Sequence, residues 1–103
     1  MAKYTQIGGM QIPYLSGYLG GTAAACGTVS TALTIPAHTT WAMIHAEGGA
    51  IYWSINQASA ATTSGGYAPQ DTQSMIPPID NMGTVHVIGS GTTAVAHVEF
   101  YEG

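Results

Sequence analysis

From residue 28 onward, apolar and polar positions alternate in short runs separated by glycine and proline, the signature of strands with one buried face. Thr28 to Ile35 alternates with a period of two and places Val29, Leu33 and Ile35 on one face. Pro36 ends this run, because proline has no amide proton to give a ladder. Thr40 to Ala46 predicts a second strand, closed by Gly48-Gly49, a dipeptide that favours a tight turn. Ala50 to Ile55 follows, with Ile51, Trp53 and Ile55 in one phase and Tyr52 and Ser54 in the other.

Residues 56–70 read as a loop rich in Ser, Thr, Ala and Gly, at the upper end of ordinary connection lengths. Ser74-Met75-Ile76 is a short strand cut by Pro77-Pro78, and Asp80-Asn81 offers a turn before the strand Thr84 to Ile88. The Gly89-Ser90-Gly91 corner leads into a last strand, Thr93 to Tyr101, with Ala96, Val98 and Phe100 on one face and His97, Glu99 and Tyr101 on the other. Helical spacing is absent; the Ala23-Ala24-Ala25 run is bracketed by Gly20-Gly21 and Gly27 too closely to hold a helix. The fold class expected is all-β, a small antiparallel β-sandwich or jelly-roll-like barrel.

Residues 1–27 break this rhythm. Gly8-Gly9, Gly17, Gly20-Gly21 and Gly27 interrupt them, with Tyr4, Tyr14 and Tyr18 scattered between. Glycine supplies conformational freedom and tyrosine supplies contact area at small entropic cost, so this segment reads either as an extended N-terminal arm that lies on a neighbour or as a loosely packed terminus. The division expected is an arm over 1–27 and a sandwich domain over 28–103. With 103 residues the chain has room for one core.

Charge narrows the range of partners. Only 6% of residues are charged, against roughly 25% in an average soluble protein. Lys3 is the one basic side chain, and five acids give a net charge of -4. A single lysine cannot neutralise a phosphate backbone or bind an anionic lipid surface, so neither nucleic acid nor membrane is an expected partner. No apolar run is long enough to span a bilayer, and residues 1–6 lack the apolar core of a signal peptide. Cys26 has no second cysteine to pair with, and a lone buried thiol fits folding in a reducing cytoplasm.

Candidate chemistry is sparse. His38, His45, His86 and His97 form no spaced pair of the HxH kind, and Cys26 has no companion, so no metal ligands are assigned. His45 shares its phase with Trp41 and Met43 and is expected as a hydrogen-bonded core histidine, whereas His86 and His97 are expected to face solvent or a subunit contact. The sequence has no GxSxG elbow, phosphate loop or suggestively spaced carboxylate pair. No catalytic and no cofactor-binding residue is assigned, and the protein is read as non-enzymatic. Trp41 and Tyr67 are the aromatic residues freest to stack on a sugar, which keeps a carbohydrate-binding β-sandwich module as an alternative.

The stretch Ile44 to Trp53 (strand, glycine turn, strand with an aromatic-Trp pair) runs into a Ser/Thr/Ala/Gly loop, an Asn-containing turn and a terminal strand closing in Phe100-Tyr101. This layout, over roughly residues 35–101, is similar to small β-sandwich structural proteins of tailed bacteriophages. Many such proteins carry charged residues beside the Trp, where this chain has Tyr52 and Ser54. The resemblance implies a virion component, foremost a capsid decoration (cement) protein on the particle surface. Its partners would be the major capsid protein and neighbouring copies of itself, as a dimer or trimer. A neck, tail or fibre-base protein is the alternative. The contact residues expected are Tyr4, Tyr14, Tyr18, Trp41, Tyr52, Tyr67 and Tyr101.

Overall fold

A computed structural model describes residues 4–7, 10–13, 17–62, 65–80 and 82–103. Ten strands are present among them: β1 (Tyr4–Ile7), β2 (Met10–Pro13), β3 (Tyr18–Ala24), β4 (Thr31–Ala32), β5 (Trp41–Glu47), β6 (Ile51–Ile55), β7 (Gly66–Ala68), β8 (Gln73–Ile76), β9 (Val85–Gly89) and β10 (Val95–Tyr101). Among the described residues β1 and β2 form a separate two-stranded antiparallel sheet.

The other eight form two four-stranded sheets, β3-β10-β5-β8 (sheet I) and β4-β9-β6-β7 (sheet II), and every pairing is antiparallel. Their order has a simple origin. A long hairpin bent at β6 and β7 would pair β6 with β7, β5 with β8, β4 with β9 and β3 with β10, and all four of these pairs are present. Rolling that hairpin up adds the contacts β10–β5 and β9–β6. The result is an eight-stranded jelly roll, a two-layer sandwich of the expected class.

The core lies between the sheets. Sheet I contributes Ala42, Ile44, Ala46, Ile76, Ala96, Val98 and Phe100; sheet II contributes Ile51, Ala68, Val85 and Val87. Small alanines from β5 and β10 face larger aliphatics, which lets the two layers interdigitate. Trp53 and Ile55 pack against this cluster from one side, in the phase their alternation with Ile51 predicts.

Four expectations need correction. The arm was drawn to residue 27, yet Tyr18–Ala24 is a strand of sheet I with β10 as its partner, so the sandwich begins about ten residues earlier than residue 28. Glycine hid it: at Gly21 a Cβ would sit 3.0 Å from the Val98 carbonyl oxygen, so close approach to β10, not apolar periodicity, holds this strand. Tyr4–Ile7 and Met10–Pro13 pair with each other as antiparallel strands rather than forming one extended segment.

Thr28 to Ile35 is not one strand. Gly27 takes φ 54° and the Val29 amide donates to the Cys26 carbonyl in a turn, leaving Val29 68% exposed and only Thr31–Ala32 laddered. Residues 56–70 are not all loop, because Gly66–Ala68 pairs with β6. His45 is exposed, because the inward phase of β5 belongs to Ala42, Ile44 and Ala46.

Candidate functional site

The strand register places the side chains of sheet I's outer face in rows. Ala23, His97, His45 and Gln73 make one row; Gly21, Glu99, Met43 and Met75 the next; Tyr18, Tyr101 and Trp41 close the end. In the closing row the Trp41 and Tyr101 rings stack at a centroid distance of 4.2 Å and an interplanar angle of 11°. Tyr18 meets Tyr101 edge-on at 5.6 Å. Offset stacking and edge contacts of this kind hold aromatic rings in one geometry.

Tyr101 lies between its two neighbours and is buried, which corrects its reading as an exposed contact residue; Tyr18 and Trp41 carry the accessible aromatic surface there. Burial, and after it the hydrogen bond to Glu99 and the charges of Glu99 and Tyr18, push the Tyr101 phenol up to about 12. Tyr101 is therefore neutral at physiological pH and donates its hydroxyl proton to Glu99 Oε2 at 3.0 Å.

Both acids on this face already have partners. Glu47 Oε1 lies 2.8 Å from His97 Nε2, and Glu99 accepts from Tyr101. Polar groups satisfied within a surface cost less to cover than free ones, since covering them breaks fewer bonds to water. Met75 is half exposed and sits opposite Met43 across the β5–β8 ladder, giving the middle row a soft, apolar surface. The face has an aromatic end and a methionine centre, and its two carboxylates are each held by a neighbouring side chain.

Sheet II differs. Tyr52 and Tyr67 pair on its outer face at 5.0 Å. Beside them the loop after β6 folds back: Ser54 Oγ donates to the Ser59 carbonyl, and the Ala60 amide donates to Ser30 Oγ. Ala60 is buried as a result, and Nδ1 of His86, across the ladder from Ser54, is covered too. The chain covers part of sheet II with its own loop. No strand or loop hydrogen bond of this kind crosses the outer face of sheet I among the described residues.

The expected contact residues thus fall into groups. Tyr18, Trp41 and Tyr101 share the end of sheet I; Tyr52 and Tyr67 share sheet II; Tyr4 begins β1, and Tyr14 lies outside the described residues. Asn81, assigned to a turn, also lies outside them. Trp41 and Tyr67 stand on the outer faces of opposite sheets, so they cannot form one sugar-stacking platform. Met43 and Met75 were missed, although the strict alternation of β5 with Ala42, Ile44 and Ala46 carries the signal for Met43.

The remaining chemistry is dispersed. His45 and His97 face each other with ring centroids 6.2 Å apart, His86 is on sheet II, and His38 occupies a turn with φ 73°. Among the described residues no group of three or more His, Cys, Asp or Glu is placed to hold a metal ion. A hollow at the end of β8, lined by Thr40, Pro78, Ile79, Asp80 and Gly103, holds one side-chain carboxylate. Cys26 is buried, its Sγ 3.9 Å from the Ala94 carbonyl, and burial raises its thiol above the ordinary value despite two backbone hydrogen bonds that pull it down. No helix of the described residues is long and apolar enough to cross a membrane. Comparison with protein-family models, with curated proteins and with solved structures finds no match for this chain.

Proposed function

We propose that this protein is a non-enzymatic virion component of a tailed bacteriophage, a decoration protein that binds the major capsid protein through the outer face of sheet I. The observation that carries the reading is that face: uncovered by any other strand or loop among the described residues, apolar at Met43, Met75 and Trp41, with both of its acids already hydrogen-bonded. Apolar burial contributes about 25 cal/mol per Å² and, unlike ion pairing, is not screened by salt, which suits a particle that meets changing media. The jelly roll is a recurrent architecture of viral capsid domains, and that analogy supports the reading at the level of fold alone.

The test adds purified protein to preformed heads that lack it. Saturable binding that high salt does not weaken is expected. The double substitution Met43→Glu with Met75→Glu should abolish it while leaving the fold intact, and Tyr67→Ser on the opposite sheet should not affect it. Heads that take up no protein at any salt concentration would refute the capsid assignment. Copy number in purified particles then separates sites on the head, in hundreds, from a neck or tail position with about a dozen copies.

A further inference from the structure

A sheet has two edges, and a sandwich of two sheets has four. Three of the four here are blunted. β4 is two residues long, β7 is three residues long and runs into Pro69, and β8 is four residues long and runs into Pro77-Pro78. Short strands and prolines are the devices by which proteins keep sheet edges from pairing with other chains. β3 is different: seven residues, no proline, and no charged side chain from Tyr18 through Gly27. Among the described residues its outer edge has no strand partner.

Hydrogen-bond parity identifies which groups of β3 are free. The Glu102 amide donates to the Gly17 carbonyl and the Gly27 amide to the Ala94 carbonyl, so even-numbered residues of β10 and its ends bond toward β3. Odd-numbered Tyr101 bonds toward β5, accepting from the Thr40 amide. Thr22 is opposite Val98 and Ala24 opposite Ala96, so these residues spend their amides and carbonyls on β10. Gly21 and Ala23 therefore direct theirs off the edge, and both are exposed. One register shift, at Phe100/Tyr101, leaves Leu19 as the extra residue on β3, and the ladder runs regularly from Gly20 to Ala24.

We propose that β3 is a homodimerisation edge: two copies pair β3 with β3, antiparallel across a two-fold axis at Thr22, joining their four-stranded sheets into one. A two-fold pairing brings the two copies of each central residue close together on one face, so a charge near the middle of the strand would lie beside its like; β3 has none. The midpoint of the regular stretch Gly20–Ala24 is Thr22. That register sets Gly21 of each copy against the other copy's Ala23, and each such pair exchanges two main-chain hydrogen bonds. It also makes Thr22 face its own counterpart, a favourable cross-strand pairing. Side chains along the joint are Gly, Thr and Ala, which permit close approach. The pairing closes on itself, unlike a head-to-tail edge contact that would grow into a filament. This inference stands independently of what the outer face of sheet I binds.

Sedimentation of the full chain over a concentration series tests it. A reversible monomer–dimer equilibrium is expected, weak because main-chain hydrogen bonds supply most of it. Ala23 is exposed, so Ala23→Lys and Ala23→Glu should each fold normally by circular dichroism and each weaken the dimer roughly threefold, because the two copies of residue 23 are diagonal neighbours on one face of the joint and their like charges repel. Mixing the two variants should restore it. Thr22→Cys should oxidise to a disulfide-linked dimer, because opposed residues of a non-hydrogen-bonded pair lie about 4.5 Å apart at Cα, within disulfide reach. A wild-type chain that stays monomeric up to its solubility limit overturns the proposal. So does a dimer that Ala23→Lys leaves as tight as before, or a Thr22→Cys chain that stays uncrosslinked at dimer-forming concentrations.

Discussion

The packing at β7 makes a sharp prediction about a single methyl group. Gly66 lies opposite Trp53 in the β6–β7 ladder, and a Cβ built on Gly66 would fall among the Cε2, Cζ2 and Cδ2 atoms of the Trp53 indole. Gly66→Ala therefore cannot be accommodated unless the indole leaves its place against the core. Backbone strain does not contribute, since Gly66, unlike Gly65 at φ 88°, has no positive φ. In an open site the same change would stabilise the protein by about 0.4–1 kcal/mol, by restricting the unfolded chain. Here the sign reverses.

Overpacking a close-fitted site costs about 1–3 kcal/mol, and losing a fully buried large aromatic about 3–5. Trp53 is only partly buried, so a loss of roughly 2 kcal/mol is expected, equivalent to a fall in Tm of about 8–16 °C for a domain of this size. Urea denaturation followed by circular dichroism measures it. The decisive comparison repeats the substitution in a Trp53→Val background, where the obstacle is gone and the cost should shrink to under about 0.5 kcal/mol. Equal cost in both backgrounds would refute the argument, because the methyl would then be clashing with something other than the indole.

Alkaline pH should expose the buried phenol: with Tyr101 raised to about 12 in the fold and near 10 in the unfolded chain, its contribution is fully present below pH 10 and lost between about 10 and 12. Tyr101→Phe should flatten that part of the stability–pH curve, and unchanged alkaline unfolding in this variant would contradict the assignment. The buried Cys26 thiol should resist thiol reagents until the protein unfolds; fast labelling of the native state would place it at the surface instead. His97→Gln should change stability by less than about 1 kcal/mol, because the His97–Glu47 pair is exposed on both sides, as thermal melts at neutral pH will show.

The strands legible in the sequence are those whose side chains alternate against the core. β5, β6, β9 and β10 each carry two or more inward aliphatics or alanines in strict phase, and each was placed within a residue or two. β3 and β7 were not legible, because glycine and alanine dominate them and their pairing is set by partners distant in the chain. Val29 misled for the opposite reason: a phase continued on paper past a turn that Gly27 imposes. In the site, Trp41 and Tyr18 could be named as aromatic surface, but the burial of Tyr101 between them depends on the β10 register and no local pattern encodes it. His45 was given the wrong face because three residues in phase, Trp41, Met43 and His45, look as apolar as the alanine–isoleucine phase that is buried.

That confusion between the two phases of β5 bears on what the protein does. A strand in a solvated sheet pairs an apolar phase with a charged or strongly polar one, and the contrast fixes which side faces the core. β5 has an inner phase of Ala42, Ile44 and Ala46 and an outer phase of Trp41, Met43, His45 and Glu47, so in bulk the outer side exceeds the inner, and its first half, Trp41 and Met43, is apolar as well. The inner side of β5 is small where β10 presents its largest core side chain, Phe100, opposite Ala42. The large side chains of β5 lie on the outer face, where each of the four has another ring or apolar chain as cross-strand neighbour: Tyr101, Met75, His97 and Val95. A surface meant only for water gains nothing from that arrangement, and methionine and tryptophan there raise the risk of aggregation. A surface that becomes an interior on assembly gains an aromatic anchor, adaptable methionines and acids that need no new partner. Replacing Trp41 with Ser should therefore weaken docking to heads by at least about tenfold while costing the isolated fold little beyond its stacking on Tyr101. If docking survives that change unaltered, the aromatic end of sheet I is not the anchor, and the contact surface must be sought on sheet II.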